Sequence, residues 1–138
     1  MKNPSIDAVM TAEPVTIDRT EPISEAYALL KKGRFHHLPV LDGDEPVGLV
    51  SSTDILELAY DVRGTEERNL MVFLDHQFSI DDAMSTDLVT LSEDATVKDA
   101  AAVLADGKVH SVLVLGTDAD LAGIVTTTDL VVYLHGQL

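Results

Sequence analysis

Two short stretches of this chain carry residue types that could bind a ligand. They are GLVSSTDIL (Gly48–Leu56) and GIVTTTDLV (Gly123–Val131), and each runs from glycine and apolar residues into three hydroxyls and then an aspartate. If the apolar residues form a strand and the next residues open a helix, the hydroxyls sit at a helix start. There, unpaired backbone N–H groups and the positive end of the dipole favour an anion. Ser51, Ser52 and Thr53, or Thr126, Thr127 and Thr128, would add donors without adding charge. Asp54 and Asp129, a turn later, can accept two hydrogen bonds from a vicinal diol such as that of ribose. A second reading stays open: Ser/Thr-x-x-Asp is close to a capping box, which finishes a helix end with no ligand involved.

Other candidates cluster nearby in sequence. His36 and His110 occupy equivalent positions before an apolar run, and His37 and Pro39 follow in the first copy, Ser111 in the second. Lys31, Lys32 and Arg34 precede His36, whereas only Lys108 precedes His110, so the first copy looks better suited to a polyphosphate. Each histidine could equally be an ordinary surface or half-buried residue.

Catalytic patterns are missing: there is no P-loop, no G-x-G-x-x-G, no H-E-x-x-H and no nucleophile elbow. The acidic turns Asp42-Gly43-Asp44-Glu45 and Asp118-Ala119-Asp120 fall short of a calcium loop in ligand count. We therefore expect no catalytic residues, no metal site and no required cofactor.

These residues are positioned by a duplication. SIDAVM (5–10) answers to SIDDAM (79–84) at a shift of 74, and one extra loop residue near Thr117 moves the register to 75 for the two signatures. Over 47 compared positions 17 are identical, too many for composition alone, so internal symmetry governs the fold. Each copy reads as a short helical piece, a brief strand (Val15–Ile17; Val89–Leu91), a helix, two β-rich runs, and a second helix opening at the hydroxyl cluster. The first helix carries apolar residues at Ile23, Ala26, Leu29 and Leu30, or at Val97, Ala100, Val103 and Leu104. Pro22 suits a first helical turn, Thr96 with Asp99 makes a capping box, and Gly33 and Gly107 stand where helices end. The β-rich runs are His37–Leu41 with Pro46–Val50, and Ser111–Leu115 with Leu121–Val125. The expected organisation is copy one over 1–60, a linker over 61–78, and copy two over 79–138. In the linker, DVRGTEERN reads as a turn or loop, and NLMVFLDHQF as buried, by linker packing or a subunit contact.

Bulk composition bounds the partners. The chain has 138 residues and a net charge of −15, with 16 Asp, 8 Glu and only 5 Lys. That balance opposes nucleic acid, whose binding rests on neutralised phosphates. No apolar run approaches the roughly 20 residues of a membrane span, and the N-terminus lacks the apolar core of a secretory signal. Without cysteine there is no disulfide framework. A cytoplasmic protein is expected, and so much scattered negative charge fits a high-salt cytoplasm, where screening suppresses self-repulsion.

The order of elements, closed twice by Gly-h-h-Ser/Thr-x-x-Asp (h apolar) and preceded by strands such as HHLPVLD, resembles the tandem CBS (cystathionine β-synthase) domain pair. The resemblance covers about Ser5 to Leu134. It implies an α/β (α+β) fold of two tandem β-α-β-β-α repeats about a pseudo-two-fold axis, forming one compact module with two clefts. Such clefts bind adenine nucleotides or adenosyl ligands: AMP, ADP, ATP or S-adenosylmethionine. Carried onto this chain, the ligand residues are Val15, Thr16, His36, His37, Pro39, Ser51, Thr53 and Asp54, and Val89, Thr90, His110, Ser111, Thr126, Thr128 and Asp129. The resemblance implies a stand-alone regulatory or energy-sensing module, homodimeric, acting on a protein partner that the sequence does not name. The alternative within the same family is a structural oligomerisation module with no nucleotide.

Overall fold

The computed structural model describes residues 2–33, 35–60 and 66–138. Within them the chain is a mixed α+β fold with two separate sheets and six α-helices, as the repeat pattern requires. It divides into two compact units: Val15–Asp87, and Met1–Pro14 together with Leu88–Leu138. Each lead segment thus belongs to the unit that carries the other copy's strands.

The 15–87 unit holds β2 (Ile17–Asp18), α1 (Ile23–Lys32), β3 (His37–Asp42), β4 (Glu45–Ser51), α2 (Ser52–Leu58), α3 (Glu67–Gln77) and α4 (Ile80–Ala83). Strand β2 pairs parallel with β3, which pairs antiparallel with β4. A parallel β2–β3 pair needs a crossover, and α1 supplies it. The helix buries Ile23, Ala26 and Leu30 at helical spacing, with Leu29 half-buried, against Leu38, Val40 and Val50. Pro22 is the extended N-cap, one residue outside the helix, and Gly33 closes it in an extended conformation with no need of positive φ. With no hydroxyl at the cap, the N–H of Ser24 donates instead to Asp75 Oδ1 of α3 at 2.8 Å. Helix α3 and the residue after it carry NLMVFLDHQF, one face of which packs on the core of this unit. Leu74 is buried and Leu70, Met71 and Phe78 pack on the same core, while Val72 and Phe73 face outward. The segment is packed within its own unit. Part of DVRGTEERN, at 61–65, lies outside the described residues.

The other unit holds a 3-10 turn (Ile6–Ala8), β1 (Thr11–Ala12), β5 (Thr90–Ser92), α5 (Val97–Leu104), β6 (Ser111–Leu115), β7 (Leu121–Thr126) and α6 (Thr127–Gln137). Its sheet order is β1-β7-β6-β5, and its core gathers Ile6, Val9, Ala100, Leu104, Val112, Val114 and Val125. The expected capping box of Thr96 and Asp99 is present, and Asn3 Oδ1 accepts from Lys98 N, the counterpart of the Asp75 cap. Gly107 adopts φ +75, three residues past the last residue of the helix. The symmetry reaches the irregularities: both units bulge at the same place, between Val40 and Leu41 and between Val114 and Leu115.

The two units differ in charge pairing. In the first, Arg19 clamps Asp81 through Nε (3.3 Å) and Nη2 (2.9 Å) and reaches Asp42 through Nη1 (3.3 Å). The equivalent sequence positions in the second copy, Glu93 and Asp7, are both acidic. Beside Arg19, Asp18 accepts from the hydroxyl and backbone N–H of Thr20 and from Gly43 N. The Thr20 hydroxyl bond, then its backbone N–H, hold the Asp18 carboxyl below its ordinary range. A lowered folded-state value contributes stability that is fully present above about pH 4 and is lost as pH falls through it. Asp18→Asn should therefore flatten the acid limb of the melting profile below about pH 4, and an unchanged limb would refute the assignment.

Candidate functional site

Pairing direction brings the proposed ligand residues of each copy to one end of its sheet. Because β2 and β3 are parallel and β4 runs against them, the starts of β2 and β3 and the end of β4 coincide. Val15 and Thr16 precede β2, His36 precedes β3, His37 and Pro39 open it, and Ser51–Asp54 lead from β4 into α2. The first strands begin later than expected, by two residues in the first copy and one in the second, so Val15, Thr16 and Val89 lie just ahead of them. Val15 is 47% exposed, unusual for a large apolar side chain beside a core strand. In the second copy Val89 and Thr90, His110 and Ser111, and Thr126, Thr128 and Asp129 gather likewise, with Leu113 N donating to Val89 O at 3.0 Å.

Both helix starts are capping boxes, with the same geometry to a tenth of an ångström. Ser51 N donates to Asp54 Oδ2 at 2.8 Å and Asp54 N to Ser51 Oγ at 3.1 Å. Thr126 N donates to Asp129 Oδ2 at 2.8 Å and Asp129 N to Thr126 Oγ1 at 3.1 Å. The capping reading is therefore true, and it occupies half of each carboxylate. Oδ1 of both aspartates has no hydrogen-bond partner among the described residues. Each aspartate is half-buried, pinned by its Oδ2, and presents one free acceptor beside the exposed hydroxyl-bearing residues Thr53 or Thr128. A pinned anionic acceptor next to hydroxyls and a helix start can take a diol and an anionic group side by side.

The remaining candidates are less uniform. His36 and His110 are exposed, His37 is half-buried, and Pro39 is buried one pleat along from His37. The Lys31 Nζ lies 6.0 Å from the Tyr27 ring centroid, Lys32 and Lys108 are exposed, and Arg34 lies outside the described residues. Among the described residues no three acidic or histidine side chains converge as metal ligands, and no helix is long and apolar enough to cross a membrane.

One part of the site was missed in the sequence: what the signature glycine is for. The lead segment of each copy lays a methionine and a short backbone stretch across the last strand. Thr11 and Ala12 pair with Ile124 and Gly123, and Ser85 bridges Leu49 through two backbone bonds. A Cβ at Gly123 would stand 2.8 Å from Met10 Sδ and 2.9 Å from the backbone oxygen of Thr11. At Gly48 it would meet Met84 Sδ at 2.5 Å, and the nearest atoms all belong to that flexible side chain. The repeated methionine of SIDAVM and SIDDAM was the available signal. Gly123→Ala should cost about 1–3 kcal/mol because backbone must move, and Gly48→Ala less because a thioether can swing away. Denaturant unfolding checks the order, and equal costs would contradict it.

Comparison with known proteins agrees with this architecture. The CBS domain model matches residues 6–61 and 80–136. The uncharacterised protein MJ1404 of Methanocaldococcus jannaschii is 29% identical over 97% of this chain, which spans only 32% of that relative. The chain likewise spans about a third (31%) of a plant relative, the Arabidopsis thaliana SNF1-related protein kinase regulatory subunit gamma-1. Among solved structures, the CBS domain pair of MJ0100, in complex with 5′-methylthioadenosine and S-adenosyl-L-methionine, superposes with a TM-score of 0.79 at 22% identity, covering 99% of this chain and 100% of that one. CBSX2 in complex with AMP gives 0.77 at 22% identity, covering 98% and 99%. With both copies matched at the positions that the internal repeat marks out, the chain belongs to the CBS domain family.

Proposed function

We propose that this chain is a regulatory, ligand-sensing module, and not an enzyme, that binds an adenosine-containing ligand: AMP, ADP, ATP or S-adenosylmethionine. The observation that carries the reading is the pair of capping-box aspartates, each held by one oxygen and free at the other. A spare oxygen is common to the capping boxes, since Asp82 and Asp99 also bond only through Oδ2. What sets Asp54 and Asp129 apart is that both are half-buried at the strand-to-helix turn of their copy, where a ribose diol can meet the free oxygen. The AMP, methylthioadenosine and S-adenosylmethionine complexes of structurally similar pairs support the same ligand class. Binding regulates a protein partner by favouring one arrangement of the module, and can do so only through unequal affinity for the arrangements. The copies are 1–60 and 79–138, joined by 61–78, and the module acts in the cytoplasm as a homodimer.

A thermal-shift series with the four ligands, in molar salt and with magnesium, tests this. A millimolar ligand of micromolar affinity stabilises by roughly 4 kcal/mol, a shift on the order of ten degrees. If none of the four moves the melt, the second reading stands: a structural assembly module. The charge of −15 favours that reading, because it repels an anionic nucleotide. The same charge supports adaptation to high salt, so the melting temperature should rise steeply from low to molar salt; a flat profile would refute it.

A further inference from the structure

Helix α3 lies between the two matched repeats, and the fold uses only one side of it. Leu70, Met71 and Leu74 pack inward with Phe78. The other side presents two adjoining stripes at helical spacing, Arg68, Val72 and His76 beside Asn69 and Phe73, all exposed. Val72, at 66%, is more exposed than any other large apolar side chain in a described helix. Phe73 keeps 37% of its surface while its ring meets Phe78 edge-on, the centroids 6.5 Å apart. An aromatic braced in this way has little rotamer freedom left to lose on binding, which suits an anchor.

Charge indicates what covers this face. In a chain of −15, none of those five residues is acidic. Glu66 precedes them as the N-cap, and Asp75 is turned to α1, where it accepts from Ser24 N. That bond ties the start of α1 to the end of α3, so Lys31 and Lys32, in the last turn of α1, lie toward Arg68 in the first turn of α3. Five of the chain's nine Lys and Arg fall between 31 and 68. A second copy meeting this face about a two-fold axis would set Arg68 against His76 with no carboxylate to answer either. A membrane or nucleic acid would also meet the acidic remainder of the surface, whereas a short segment need touch only this face.

We propose that the outer face of α3 docks a short acidic, amphipathic helix of the protein that this module regulates. Apolar side chains of that helix seat on Val72 and Phe73, and its carboxylates meet Arg68, with Lys31 and Lys32 at the rim. This rests on the regulatory reading above, though not on any nucleotide.

Selection from a randomised helical peptide library on phage, against the full chain at the lowest salt where it is folded, tests the assignment. Binders should be rich in Asp and Glu beside Leu or Phe at i, i+3 and i+4. A synthetic copy of the commonest binder, followed by fluorescence anisotropy, should bind saturably and weaken as salt rises. Val72→Asp and Arg68→Glu should each weaken it about tenfold, and Leu134→Asp on α6 less than twofold. Neither α3 variant should change the melting temperature or its shift with adenosine ligands, since Val72 and Arg68 belong to neither core. Loss of docking is thereby separate from failure of the adenosine-ligand reading. An absence of binders, binders without an acidic excess, or binding that ignores both α3 variants overturns the proposal. So does a dimer that Val72→Asp splits in light scattering, because the face then belongs to a second copy.

Discussion

In the double variant Asp54→Asn/Asp129→Asn, affinity for an adenosine ligand should fall roughly ten- to a hundredfold, or about 1.5–3 kcal/mol per occupied site, with little change in melting temperature. Asparagine is the right probe because of what Oδ2 does. In both copies that oxygen accepts the N-cap N–H at 2.8 Å, and an amide oxygen can take its place. The other position then becomes an NH2 donor, which cannot accept from a hydroxyl, and the charge is gone. Alanine would also remove the reciprocal cap, costing about 0.5–2 kcal/mol of helix start in each copy, and would confuse folding with binding. Calorimetry and a melt on the same samples separate the two. Unchanged affinity would make both aspartates helix-start residues and nothing more.

Most of the fold was legible because it was written twice. Hydrophobic spacing placed α1 and α5, and the strands β3, β4, β6 and β7 fell within a residue or two of expectation, since long apolar runs bounded by polar turns leave little choice. The first strands were harder: Ile17–Asp18 and Thr90–Ser92 are two and three residues long, too short for any period to show. Strand β1 was not visible at all, because its two residues are exposed and owe their conformation to pairing with β7. The exchange of lead segments between units is a tertiary fact with no local signal. At the site, the Ser/Thr-x-x-Asp pattern left the cap and the ligand chemistry open side by side; the structure shows the cap, and shows that it takes only one oxygen of each carboxylate. Ser111 entered the candidate set through the family resemblance alone; its burial depends on β7 lying opposite, which no local pattern shows.

Leu134→Asp should convert a dimer in molar salt to a folded monomer. Helix α6 uses Leu130 and Tyr133 to pack on its own core, yet leaves Val131 60%, Val132 65% and Leu134 44% exposed. In the other unit α2 buries Ile55 and leaves Leu56 and Tyr60 outward. Three large apolar side chains within four residues of one helix make a patch that soluble monomers seldom leave in water. A second copy of the same surface covers it most simply, since an isologous contact needs no other complementary partner. Two chains of −15 repel each other, so association should tighten with salt as screening grows, the reverse of a contact held by ion pairs. An aspartate at position 134 buries an unpaired charge at such a contact, and because Leu134 belongs to neither core the fold should survive. Leu56→Asp should act likewise from α2. Light scattering across a salt series decides it: a parent that is monomeric at every salt concentration where it is folded would refute the dimer, and a Leu134→Asp variant that stays dimeric would move the contact elsewhere.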